Sequence, residues 1–448
     1  MAEVTGRAQR EASTGGRGPD VGLARGSLAG LAAAGAGAVS QFLLVLVVTR
    51  SLSPGAAGAF FTATALCLML AGILRLDAGT GLIYAMAGRG HSHAVMWAAL
   101  PPVVAISVMA AAGIAIFNDE LAVVTGVTDG VWLVLAAALP AVVLADVLVP
   151  ATRGLGSMRP TLLLDGLARP LGQLLLVTAG IVAGAELPAL TAAWLLPAVP
   201  AALAAALCLW SRAESPAGSR EPYGWAEAAA FWRYTAPRSL AGAIQAVFQR
   251  LDIVVVAVLA GPAPAAVYTA ATRFKVVGQL ANQGLAQAVQ PHLIRALVSG
   301  DLNRARRLYQ ITTMWLVVLT WPIWLAYAAA APWLLPMFGP SYADGLAIAL
   351  VLAVTMMVAT ACGMVDVVLV ASGRTGASLA NTACAVAVTI VLDLLLVPSH
   401  GALGAALGWA GGVFAKNMLP LAQISRAYGM QPFGRHSLAA FRPGKVAL

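Results

Sequence analysis

The sequence predicts an all-α polytopic membrane protein, with about twelve transmembrane helices in two pseudo-symmetric six-helix halves around a central cavity. Three observations carry that expectation. The 448 residues are 60% apolar and only 10% charged, with a mean hydropathy of +0.84, whereas a soluble domain is about half apolar and a quarter charged. Segments of about 20 apolar residues, enough to cross hydrocarbon, recur along the whole chain. The basic residues gather on alternate loops, as the positive-inside rule requires. This composition excludes a soluble enzyme, a secreted disulfide scaffold and a disordered chain.

In order, the apolar segments are 27–49, 58–87, 94–117, 131–151, 161–184, 188–210, 237–260, 264–290, 308–331, 344–371, 378–398 and 401–426. They are read as helices because hydrocarbon offers the backbone no partner, and no ten-residue alternation suggests a barrel. Residues 1–26 form a basic tail. The apolar run that follows is too long for a cleaved signal, so 27–49 is a retained first helix. The chain then divides into a half at 27–210, a linker at 211–236, a half at 237–426 and a basic tail at 427–448. The linker carries Trp225, Phe231, Trp232 and Tyr234 among charges and is expected to lie partly on the headgroups as an interfacial helix. The cysteines Cys67, Cys208, Cys362 and Cys384 all sit in apolar segments without metal or disulfide spacing.

Loop charges set the topology. Twenty of the 27 Lys and Arg residues fall on the side of the two tails, the linker and the 295–307 loop. The other side holds only Arg50 against Asp119, Glu120, Asp129, Glu186 and Asp344. Both termini are therefore expected in the cytoplasm, in a bacterial inner membrane. The net charge of +9 follows from this asymmetry and indicates no nucleic-acid partner.

The halves share a weak repeat. Leu52, Phe61 and Thr62 match Leu259, Tyr268 and Thr269 at one offset of 207. Two parallel six-helix halves are a recurrent transporter plan.

Charges placed deep in spans are expensive and are functional candidates by default. Arg250, Asp252, Arg273 and Lys275 lie near the middle of spans 7 and 8. Gln245, Gln249 and Asp252 form one face of span 7. Lys275, Gln279, Gln283, Gln287 and Gln290 form a polar stripe on span 8. On an undistorted helix Arg273 and Lys275 stand about 200° apart, so both cannot face one point. Span 5 carries Thr161, Asp165, Arg169 and Gln173, with Asp165 and Arg169 at pairing distance along the helix. Arg75, Asp77, Asp146 and Asp366 fall near cytoplasmic ends, where snorkelling or pairing explains them. Asp393 and Lys416 are left open. Glycines at 404, 408 and 412 are read as a close-packing stripe.

Several stretches resemble the MOP superfamily of exporters, which includes the MATE transporters, and within it the polysaccharide-type (O-antigen-type) flippases. They are Leu251-Asp252-Ile253-Val254, Gly261 to Ala271, Pro291 with the basic loop to Leu308, Met337 to Tyr342, Ala371 to Arg374 and Gly401 to Ala406. The resemblance implies a flippase moving a polyprenyl-pyrophosphate-linked oligosaccharide by alternating access. Its partners would be that lipid, the bilayer and a polysaccharide polymerase or glycosyltransferases. It also implies a cavity arginine in a Tyr-x-x-Ala-x-Arg pattern, which Tyr268, Ala271 and Arg273 fit, and first-half cavity cations, for which Arg75 is the nearby candidate. The deep residues Arg250, Arg273, Lys275 and Asp252 sum to +2, which suits an anionic headgroup. A MATE-like antiporter and a non-transporting scaffold are the alternatives.

The three lysines stand in no P-loop, no hydrolase or metalloprotease motif occurs, and the outer loops are short. The expectation is a non-enzyme without a resident cofactor, its coupling ion open.

Overall fold

The computed structural model describes residues 19–89, 93–212, 225–437 and 440, and among them there is no strand. Ten stretches are long and apolar enough to cross a membrane. One of these, Thr375–Tyr428, turns back at Gly401 (φ 54°, ψ −132°) into α11 (375–400) and α12 (402–428). The broken crossing at 262–298 is a further one, which makes the predicted twelve.

The others are α1 (Pro19–Ser51), α2a (Pro54–Leu74) and α2b (Ala78–Arg89), α3 (His93–Ile116), α4 (Asp129–Ala151), α5 (Arg159–Val182) and α6 (Leu187–Ser211). The second set comprises α7 (Trp225–Ala260), α8a (Pro262–Thr272) and α8b (Lys275–Val298), α9 (Leu302–Leu334), and α10a (Leu346–Ala361) and α10b (Val365–Ala371). One buried apolar cluster draws mainly on α1–α6 and a second on α7–α12.

The breaks have identifiable causes. Between α2a and α2b, Leu76 and Asp77 adopt positive φ. Asp77 is held there by Arg238 at 2.8 Å, and the Leu76 carbonyl accepts from the Ser239 hydroxyl. Between α8a and α8b, the Ala271 carbonyl accepts from the Tyr327 hydroxyl at 2.7 Å, while the Arg273 N–H bonds one residue short, to Ala270. The helix tightens and re-aims at Arg273–Phe274.

α2 runs along α7 and α8a because small residues let the backbones meet. A Cβ on Gly58 would overlap the Pro262 carbonyl, and one on Gly72 would come within 2.6 Å of Ala246. The predicted glycine stripe does the same within the α11–α12 hairpin. Cβ atoms at Gly404, Gly408 and Gly412 would strike the Leu396 carbonyl, Asp393 and the Thr389 hydroxyl.

The aromatic linker is a correction. Its residues 213–224 lie outside the described residues, but 225–236 are no separate interfacial helix; they are the first turns of α7. Phe231 is buried, the Trp232 indole donates to Ala98, and Tyr234 stacks on Tyr84 at 4.1 Å. Phe231, Trp232 and Tyr234 thus find partners on α2b and α3, while Trp225 is exposed.

Candidate functional site

Two chambers, one walled mainly by each half, share a seam. The first, about 650 Å³, is walled by α1, α2a, α5 and α6. The second, about 410 Å³, is walled by α7–α10 and α12. Arg250, Ile253, Thr269 and Arg273 line both. At about 1.5 Å per residue, Arg250 and Arg273 stand about 15 Å from the helix ends at Ala260 and Pro262.

The seam is short of partners. Neither Arg250 nor Arg273 makes an ion pair or side-chain hydrogen bond among the described residues. The buried Nε of Arg273 and the buried hydroxyl of Thr269, one helical turn earlier on α8a, have none either. Three donor side chains therefore converge with unmet hydrogen-bonding capacity and two positive charges. Burying such groups unpaired is costly, and an anion with several oxygens is the chemistry that satisfies them.

The break in α8 corrects the angular expectation. Because the helix is interrupted at Arg273–Phe274, Arg273 and Lys275 both line the second chamber. They nevertheless differ in role. Lys275 lies 3.4 Å from Asp252 and over the Trp409 ring at 5.1 Å. Asp252 is almost wholly buried and also accepts from the Tyr268 hydroxyl at 2.6 Å. Asp252 thus sits behind the chamber wall, in an Asp–Tyr–Lys cluster. Gln249 lines the second chamber. The side chains of Gln279 and Gln283 lie outside the described residues.

In the first chamber the expected Asp165–Arg169 pair is the weaker of two. A π-helical turn at Leu162–Ala168 carries Asp165 to 3.5 Å from Arg169, half-exposed, while Asp146 on α4 holds Arg169 at 2.6 Å. Of the two alternatives for Asp146, snorkelling or pairing, the structure shows pairing. Gln41 donates to Gln173 at 2.7 Å, and Gln173 to the Trp194 carbonyl at 3.2 Å. Arg75 lines neither chamber; it caps α2a beside the break.

Sequence reasoning left Lys416 and Asp393 open and missed Thr269. Lys416 projects into the second chamber, 3.0 Å from Gln245 and 4.8 Å from the Phe248 ring. Thr269 could have been found from its i, i+4 spacing to Arg273. Asp393 on α11 is fully buried opposite Gly408, with both oxygens unpartnered among the described residues. No group of His, Cys, Asp and Glu suited to a metal occurs among the described residues.

Aromatic rings pack together at one end of the first chamber. There Phe42 meets Phe274 and Phe338 edge-on, each at 5.6 Å, and Arg50 donates to the Met337 carbonyl. In the other direction the lining runs toward the basic face, through Asp165, Asp366 and Asn417.

Residues 237–395 match the MatE family model. No curated protein matches the sequence. Among solved structures, an inward-facing multidrug resistance MATE family transporter of the MOP superfamily aligns with a TM-score of 0.68 at 17% identity, covering 88% of this chain and 94% of that one. The lipid II flippase MurJ, in an inward closed conformation, aligns at 0.63 and 12% identity over 92% and 90%. A MOP superfamily transporter from Pyrococcus furiosus, described as having a binding pocket of reverse polarity, aligns at 0.60 and 16% identity over 91% and 95%. This chain has the fold of the MOP-superfamily transporters.

Proposed function

We propose that the protein is a flippase that carries a polyprenyl-pyrophosphate-linked oligosaccharide across the bacterial cytoplasmic membrane. The observation that carries this reading is the seam: Arg250, Arg273 and Thr269 at mid-depth, lacking partners among the described residues. Even on the lenient insertion scale each deep cation costs about 2.5 kcal/mol or more, so retaining two, with no ion pair to either among the described residues and only Asp252 as a nearby acid for Arg250, calls for an anionic ligand. The guanidinium forks suit phosphate oxygens bidentately. The fold of transporters and the lipid-carrying relative of similar fold support the same reading.

Alternating access follows from the packing. The chamber loads from the basic face, which the loop charges place in the cytoplasm, while the Phe42–Phe274–Phe338 contact and the Arg50 latch close the other end. Rocking of the halves along the small-residue seam of α2, α7 and α8a would exchange these closures. Arg273 sits at the α8 break, so its guanidinium moves with the part of the helix that re-aims.

An ion-coupled antiporter for small molecules is the second reading, favoured by one observation, the buried and unpartnered Asp393. Cells lacking the protein decide between the two. Lipid-linked oligosaccharide retained on the cytoplasmic leaflet, with loss of surface polymer, supports the flippase. Unchanged polymer with raised sensitivity to cationic dyes supports the antiporter.

A further inference from the structure

The two chambers differ in how polar their walls are. Polar groups in the first are already consumed by one another: Arg169 by Asp146, Gln173 by Gln41 and Trp194, and the Thr64 hydroxyl by the Phe61 carbonyl. Apart from half-exposed Asp165, what remains to meet an occupant is apolar, chiefly Phe42, Val45, Phe60, Phe61 and Leu68. The second chamber carries more polar side chains on its walls besides the seam: Gln249, Asp366, Asn417, and Lys416 bonded to Gln245. An apolar chamber of about 650 Å³ and a polar one of about 410 Å³ therefore open on opposite sides of the same unpaired cations.

We infer that the first chamber is a prenyl subsite: it holds the isoprene units nearest the pyrophosphate, while the sugar occupies the second chamber. This rests on the flippase reading and deepens it. A substrate with an anionic junction between an apolar chain and a hydroxyl-rich head matches the order apolar chamber, cationic seam, polar chamber. Charge fixes the junction at Arg250 and Arg273, and continuity of the cavity fixes the chain on the α1–α2a side. The chain would thus enter the protein for its first units before continuing into the bilayer. Water filling is disfavoured there, because the walls offer a water few free partners.

The test uses the full-length protein in nanodiscs and farnesyl pyrophosphate bearing a photoreactive diazirine in its prenyl chain. Irradiation and peptide mapping should place the label on α1 and α2a, around Phe42, Val45 and Phe60, with inorganic pyrophosphate in excess suppressing it. Ala38→Trp, which fills the first chamber, should cut labelling by about tenfold and leave binding of radiolabelled inorganic pyrophosphate and the melting temperature unchanged. Pyrophosphate-sensitive label on the second chamber, or on bilayer-facing residues alone, would overturn the subsite and leave the flippase reading standing. Absence of any pyrophosphate-sensitive labelling, with no pyrophosphate binding, would overturn both.

Discussion

Lys275 and Arg273 are two residues apart, yet the structure gives them opposite consequences on removal. Lys275 is the counter-ion of Asp252, which is only 1% exposed and keeps two further partners, the Tyr268 hydroxyl and the Ile253 N–H. Lys275→Met therefore leaves a buried carboxylate with two neutral donors. Breaking a buried pair by removing one member costs about 3–5 kcal/mol; each retained bond to the charged group offsets part of this, the tyrosine bond alone about 1.5–3. The net expectation is a loss of up to about 2 kcal/mol. Asp252→Asn in the same chain removes the stranded charge and should restore most of it. Arg273→Ala removes a cation that pairs with no acid in the described residues, so stability should hold or rise. The assay is the melting temperature of the purified variants in detergent, with membrane abundance alongside. A double variant as unstable as Lys275→Met alone, or an Arg273→Ala protein that is the less stable of the two single variants, would refute the pairing.

Three further outcomes follow. Arg169→Met should destabilise by about 3 kcal/mol because it strands Asp146, whereas Asp165→Asn, half-exposed and 3.5 Å away, should cost under about 1 kcal/mol; thermal melts of the two compare them directly. Gly408→Val should abolish assembly, since even its Cβ overlaps Asp393 on the facing helix, while Gly376→Ala, with open space around it, should accumulate normally in membranes by immunoblot. Reporter fusions after Asp119 and after Ser215 should report the periplasm and the cytoplasm respectively, and the reverse at either site would sink the orientation drawn from the loop charges.

The fold was legible because lipid imposes a crude and repeated demand. Twelve apolar runs were enough to find the crossings, most within a few residues, although the helix read as 237–260 begins at Trp225 and the one read as 264–290 runs on to Val298. The glycines at 404, 408 and 412 likewise announced a close helix contact. The site was legible only where it breaks the background: Arg250, Asp252, Arg273 and Lys275 stand out from a chain with so few charges. Their roles were not, because the interruption of α8 depends on Tyr327 reaching Ala271 from another helix, and no local pattern encodes that. For Asp146 the sequence left snorkelling and pairing open, and the partner, Arg169, shows only once α5 packs beside α4. The apolar chamber left no signal at all, since Phe42, Phe60 and Leu68 are ordinary in a chain that is 60% apolar.

The central claim is that Arg273 meets a pyrophosphate at the seam, and translocation by Arg273 variants tests it most directly. Proteoliposomes containing the wild-type chain, Arg273→Ala or Arg273→Lys are loaded with fluorescent polyprenyl-pyrophosphate oligosaccharide, and its appearance in the opposite leaflet is followed by quenching. Arg273→Ala should insert at normal abundance with its melting temperature unchanged and translocate at under about a tenth of the wild-type rate, the loss of one charged hydrogen-bonded contact being worth about 1.5–3 kcal/mol. Arg273→Lys should recover part of the rate, since the charge returns without the bidentate fork. A folded Arg273→Ala protein that moves the lipid at the wild-type rate would contradict the account.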